Sequence, residues 1–145
     1  MLRKLHILFI YMEKECIFCK IAAGEIPSYT VFENKNFKAF LDIWPLNKGH
    51  VLVIPKKHYR WVWDVPIIGK YYEVVGMVAN ALRKALDTEW VTSLVIGEEV
   101  PHAHVWLVPR FKGDGHGGTL NFSKRKKLTA TKMEEMQKQI VGAFK

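Results

Sequence analysis

Cysteine is scarce in this chain, at two in 145 residues, and acid is outnumbered, with 14 Asp and Glu against 22 Lys and Arg. Two cysteines cannot build the framework of a small disulfide-rich secreted scaffold. Spaced as Cys16-Ile-Phe-Cys19, they point to metal or redox chemistry in a reducing compartment, and so to a cytoplasmic setting. The acid deficit leaves a formal net charge of +8, which favours anionic partners: nucleotides, phosphorylated small molecules or nucleic acid. The apolar run 5–11 behind Arg3 and Lys4 is too short to cross a bilayer, and no Ala-x-Ala-like cleavage site follows it, so no membrane partner is expected. Met12 reads as a natural start, which makes residues 1–11 an expected extension outside the domain. There is no internal repeat, and Gly113-Asp-Gly-His-Gly-Gly is no phosphate loop, because it follows no strand-to-helix turn and lacks Gly-Lys-Ser/Thr.

What is present describes one globular domain, 49% apolar and 25% charged. Residues 16–23 predict a helix of one or two turns stopped by Gly24. Tyr29–Glu33 and Phe37–Asp42 predict a hairpin across Asn34-Lys35-Asn36, and His50–Pro55 a third strand. Tyr71, Val74, Val75, Val78, Leu82 and Leu86 form a helical stripe, so a helix is expected from Pro66 to about Leu86. Val91–Ile96 and Val100–Val108 predict two more strands across a tight Gly97-Glu98-Glu99 turn. Thr131–Phe144 predicts a C-terminal helix, with Thr131 as cap and Glu134 in the capping-box position. The sum is an α+β fold: a five-stranded antiparallel sheet with one long inserted helix and a C-terminal helix. Residues 12–115 are expected to form the domain, followed by a basic loop and helix over 116–145. From Arg110 onward nine Lys/Arg face three Asp/Glu, and Lys124-Arg125-Lys126-Lys127 reads as a solvated segment rather than a nucleic-acid patch. Trp61 and Trp63, in the 56–65 loop, are expected to cap the core rather than roof a ligand pocket, and His116 to be solvated.

The most informative stretch is Gly97-Glu-Glu-Val-Pro-His-Ala-His-Val-Trp-Leu-Val-Pro109. The period of two in an extended chain puts His102, His104 and Trp106 on one face and Ala103, Val105 and Leu107 on the other. Two convergent imidazoles make a metal site or a nucleophile with its helper. On the metal reading, Cys16 and Cys19 are half of a zinc site, which His58 and His102 complete into a closed structural cage; the alternative is two buried thiols packed as small hydrophobes. On the nucleophile reading, a neutral His104 attacks phosphorus while its other nitrogen is held by a hydrogen bond, and backbone amides at Gly97 meet the anion. A buried histidine that only satisfies a backbone carbonyl is the plainer alternative.

Four stretches taken together resemble the histidine-triad (HIT) superfamily of nucleotide hydrolases and transferases, in its bacterial or archaeal form. They are Cys16 to Ser28, Ala39 to Ile43, Asn47 to His58 and Gly97 to Arg110, collinear over roughly residues 14–115. The resemblance implies a homodimer whose sheets join, and cleavage of a phosphorus–oxygen or phosphorus–nitrogen bond in a nucleoside monophosphoryl compound of adenosine or guanosine type. It places the nucleophile at His104, with His102 as its buttress or as a zinc ligand, and the ribose hydroxyls at Asp42. The base falls to Ile17, Phe18, Ile21 and Phe40, and His50 supports the cluster. Two departures stand out. Trp106 occupies the third-histidine position, and indole is a donor that cannot exchange a proton at neutral pH. Glu98 and Glu99 stand where neutral phosphate donors are expected. These departures define a rival reading, a catalytically weak nucleotide-binding or zinc-stabilised interaction module. Nucleic-acid binding through the basic tail is a third.

Overall fold

A computed structural model of the chain describes Leu5 and residues 14–145; the expectation for residues 1–11 and the start at Met12 falls, Leu5 apart, outside the described residues. The elements run α1 (Ile17–Ala22), β1 (Thr30–Glu33), β2 (Phe37–Leu41), β3 (Val51–Pro55), α2 (Ile68–Leu86), β4 (Val91–Leu94), β5 (Val105–Pro109) and α3 (Ala130–Gly142), with single 3-10 turns at Val62–Asp64 and Phe122–Lys124. The strands form one five-stranded antiparallel sheet in the order β1-β2-β3-β5-β4, so the fold is the expected α+β.

The sheet lies between two apolar layers. Ala39, Leu41, Val51, Val53, Val105 and Leu107 face Val74, Val78 and Leu82 of α2 and Met133 and Ile140 of α3. Phe40, Leu52, Ile54, Trp106 and Val108 point the other way, against Phe18 and Ile21 of α1. Every residue of β2, β3 and β5 is buried, as strands covered on both faces must be. Short α1 is held at its start by the Cys16 Sγ, which accepts from the Cys19 amide at 3.4 Å. Among the described residues no helix is long and apolar enough to cross a membrane.

Several local expectations are corrected. The last strand begins at Val105, not Val100, and Gly97-Glu98-Glu99 is no tight turn; residues 95–104 form a ten-residue connection. Pro101 has no amide to give to a ladder, and the Ala103 amide donates instead to Tyr59 O at 2.7 Å, drawing the chain away from β4. The facing pattern survives: the Phe18 ring meets both His102 and His104, while Ala103 enters the α2 layer. Helix α2 starts at Ile68, two residues after Pro66. The cap of α3 is Thr129, whose hydroxyl accepts from the Lys132 amide at 3.3 Å, not Thr131. Trp61 and Trp63 are exposed, and it is Val62 between them that is buried. His116 is buried, its Nε2 against Leu46 O at 3.0 Å and its Nδ1 accepting from the Asn121 amide at 3.0 Å. Arg125, inside the basic run, is folded onto Asp42 and Glu99.

Candidate functional site

Two centres flank Phe18, whose ring packs edge-on against His102 and His104 at 5.9 and 5.2 Å between centroids. The first is the Cys/His cluster. Cys16 and Cys19 come from the two ends of one helical turn, His58 from the loop after β3, and His102 from the approach to β5. Their ligand atoms all lie within 4.8 Å of one another. His102 Nδ1 is 3.4 Å from both sulfurs, and His58 Nδ1 is 3.2 Å from Cys19 Sγ. A zinc tetrahedron has sulfur–nitrogen edges of about 3.6 Å, given zinc–ligand bonds of about 2.3 and 2.0–2.1 Å, so the donor set and its spacing fit zinc. The His102 tautomer fits as well. Its Nε2–H donates to Pro55 O at 2.8 Å, which leaves the Nδ1 lone pair facing the thiols, the orienting contact that metal-binding histidines use. Cys16 is drawn well below its ordinary value, first by the hydrogen bond from the Cys19 side chain and then by His102, with burial opposing. A thiol so shifted is close to the thiolate that a metal takes.

The second centre is a cavity of about 300 Å³. Ile17, Phe18 and Ile21 of α1, Phe40 of β2, Asp42, His104 and Trp106 line it, bringing together most of the residues expected to hold a nucleoside. A second cavity of about 340 Å³ adjoins it, contains the expected Gly97, and shares Glu99, His104 and Trp106 with the first. His104 therefore stands where the two meet. Its Nδ1 lies 2.7 Å from its neighbour's carbonyl, His102 O. A carbonyl only accepts, so Nδ1 carries the proton and Nε2 keeps the lone pair. Burial, first of all, holds His104 below the ordinary histidine value, and the Nδ1 hydrogen bond opposes this. The ring is neutral at neutral pH.

The other expected residues fall as follows. Asp42 is buried at the rim. Its Oδ1 accepts from the Trp44 amide at 2.7 Å and its Oδ2 from Arg125 at 3.0 Å. His50 lies behind the cavity wall, its ring 4.8 Å from that of Trp106, with Nδ1 accepting from the Leu46 amide at 3.1 Å. It supports Trp106 directly. Trp106 is buried, and its Nε1–H has no hydrogen-bond partner among the described residues. Gly97 has φ +80°, and a Cβ there would come within 2.8 Å of the Trp61 ring. Its carbonyl accepts from Arg60 at 2.7 Å. Arg125 and Trp44 also line the first cavity and were not anticipated. Arg125 lies 83 residues from the Asp42 it touches, and so long a separation leaves no periodic signal to find it by.

Comparison with known proteins puts this geometry in context. A sequence model described as the HIT domain matches residues 23–113. An uncharacterized HIT-like protein of Methanocaldococcus jannaschii is 38% identical over 133 residues, 88% of this chain and 99% of that protein. The adenosine 5'-monophosphoramidase of Saccharomyces cerevisiae is 36% identical over 104 residues, 68% of this chain and 65% of that protein. Among solved structures, a zinc-bound histidine triad family protein from Mycobacterium smegmatis superposes with a TM-score of 0.76 at 31% identity, covering 91% of this chain and 94% of that one.

Proposed function

Given that this chain belongs to the HIT domain family, we propose that it is a nucleotide hydrolase or nucleotidyl transferase working through a nucleotidyl-histidine at His104. The observation that carries this reading is the imidazole at the junction of two cavities, with Nδ1 donating to His102 O and Nε2 left with its lone pair. The nucleoside enters the apolar cavity between α1 and Phe40, and Asp42 accepts from the ribose hydroxyls. His104 Nε2 bonds to the α-phosphorus as the bond to the leaving group breaks, and the leaving group keeps the electron pair. Nδ1 holds its proton on the His102 carbonyl and shares the positive charge that develops. Water then bonds to the phosphorus, the phosphorus–nitrogen pair returns to Nε2, and the water proton passes to solvent. The yeast relative is an adenosine 5'-monophosphoramidase, and its activity is of this chemical kind.

The same reading gives zinc to Cys16, Cys19, His58 and His102. Bound there, the ion supplies a cross-link between α1 and the sheet, and four protein ligands leave it no position for water. His102 then serves both centres, zinc through Nδ1 and His104 through its carbonyl. The homodimer belongs to the reading too, and its sheets can join only through an edge, β1 or β4. The reduced thiols suit a cytoplasmic setting. Nucleic-acid binding is the least favoured partner, because Arg125 of the basic run is engaged at the cavity.

Turnover of a fluorogenic adenosine phosphoramidate and of a diadenosine polyphosphate, with His104→Ala alongside, tests the proposal. Activity should fall by at least 10³-fold in the variant, since the covalent step is gone. One observation favours a second reading, a binding module with weak turnover: Trp106 offers no proton at the third-histidine position. Equal rates for the two proteins would establish that alternative.

A further inference from the structure

The HIT-domain match ends at residue 113, yet the segment after it returns to the cavity. Its backbone is pinned: the Lys126 amide donates to Pro45 O at 3.2 Å, and the Phe122 ring lies 5.8 Å from that of Trp106. Between these points Arg125 reaches the rim. Among the described residues it is the only Lys or Arg lining either cavity, whereas Asp42, Glu98 and Glu99 all line one or the other. Unrelieved, those carboxylates would repel a polyanionic substrate.

The guanidinium is anchored on one side and lightly held on the other. Nε donates to Trp44 O at 2.9 Å, and Nη2 donates to Asp42, itself buried, at 3.0 Å. Among the described residues Nη1 reaches only Glu99, at 3.4 Å, and Glu99 is 73% exposed. An ion pair so exposed contributes little and exchanges readily. Glu99 sits with His104 and Trp106 on the wall the cavities share, so the donor free to change partner stands beside the reacting centre. Resting on the reading that His104 attacks a nucleotidyl phosphorus, we propose that Arg125 is a specificity residue: it exchanges the Glu99 carboxylate for an oxyanion on the leaving group. The site then selects nucleotidyl anhydrides over phosphoramidates. Arginine's planar fork suits such an oxyanion, and a leaving group that departs as a stable anion asks no proton of Trp106.

The test compares kcat/KM for ADP, whose leaving group is phosphate, with that for adenosine 5'-phosphoramidate, whose leaving group is neutral ammonia. It uses the full chain, Arg125→Gln, Arg125→Lys and Glu99→Gln. The anhydride-to-amidate ratio should fall at least tenfold in Arg125→Gln, mainly through KM, and recover in part in Arg125→Lys. It should rise in Glu99→Gln, where the competing carboxylate is gone. Should Arg125→Gln fail to fold, the other two variants decide. An unchanged ratio, or equal loss on both substrates, overturns the inference and leaves the proposed chemistry standing. Calorimetry of ADP and AMP binding separates the two levels: a preference for ADP that is lost in Arg125→Gln supports Arg125 even without turnover. If the unaltered protein binds no nucleotide, both fall together.

Discussion

At the scale of single residues, the site is defined by which nitrogens carry protons. His104 and His102 each give one N–H to a carbonyl, and each is left with one lone pair aimed at its task. His50 is fixed the other way round: its Nδ1 accepts from Leu46, so its proton lies on Nε2, 3.8 Å from Asp42. Burial pushes its pKa down to about 4 from the ordinary 6.5, with Asp42 opposing and Arg125 adding to the shift. The unfolded chain therefore binds the proton more tightly. The folded state keeps its full advantage above about pH 6.5 and loses it as the pH falls towards 4, by about 3 kcal/mol in all. Urea unfolding at pH 7.5 and pH 4.5 should show that loss, reduced by about that amount in His50→Asn, whose amide oxygen can still accept from Leu46. Equal pH dependence in the two proteins would contradict it. Trp106 gives a second residue-scale prediction. Trp106→His places an exchangeable proton where indole has none, so on the proposed mechanism cleavage of an amine leaving group should rise by about 10²-fold or more. Stability should fall by about 3 kcal/mol, because the smaller ring leaves a void against Leu52 and Phe40. Turnover kinetics and thermal melts would read both.

At the scale of elements, α1 carries more than its six residues can hold alone. Its Phe18 and Ile21 wall the first cavity, and a helix this short has little stability in isolation. The Cys/His cluster fastens its first turn to the loop after β3 and to the approach to β5. Metal analysis should find one zinc per chain. A strong chelator should lower the melting temperature and weaken AMP binding together, because the tie and the cavity wall share one helix. Binding that outlasts the metal would separate the two roles. The connection from β5 towards α3 is organised in a different way, around Asp114. Its carboxylate accepts from the buried Arg110 at 2.7 Å, from Asn47 at 2.9 Å, and from the Phe111 and His116 amides at 3.1 Å each. That hub sets the path of the segment that delivers Arg125.

At the scale of the whole molecule, the parts legible in the sequence were those written in short-range periodicity. The helical stripe of α2, the hairpin β1–β2 and the alternation of His102, His104 and Trp106 against Ala103, Val105 and Leu107 are properties of adjacent residues, and the fold kept them. The start of β5 was not legible, because the partner that draws Ala103 away is Tyr59, more than forty residues distant. Arg125 and His116 were hidden for the same reason: a charge run and a glycine-rich stretch look solvated until the chain folds them onto Asp42 and Leu46. The C-terminal helix makes the point for stability. The HIT-domain match stops at residue 113, yet Met133 and Ile140 of α3 are buried in the same core as Val78 and Leu82 of α2. Burying two such side chains contributes about 1.5–3 kcal/mol each, or about 3–6 kcal/mol together, against a usual total of about 5–15 kcal/mol for a domain. A chain ended at residue 115 should therefore lose a large share of its stability and melt well below the full-length midpoint by circular dichroism. A sharp transition at the full-length midpoint would show that α3 lies on the core without holding it.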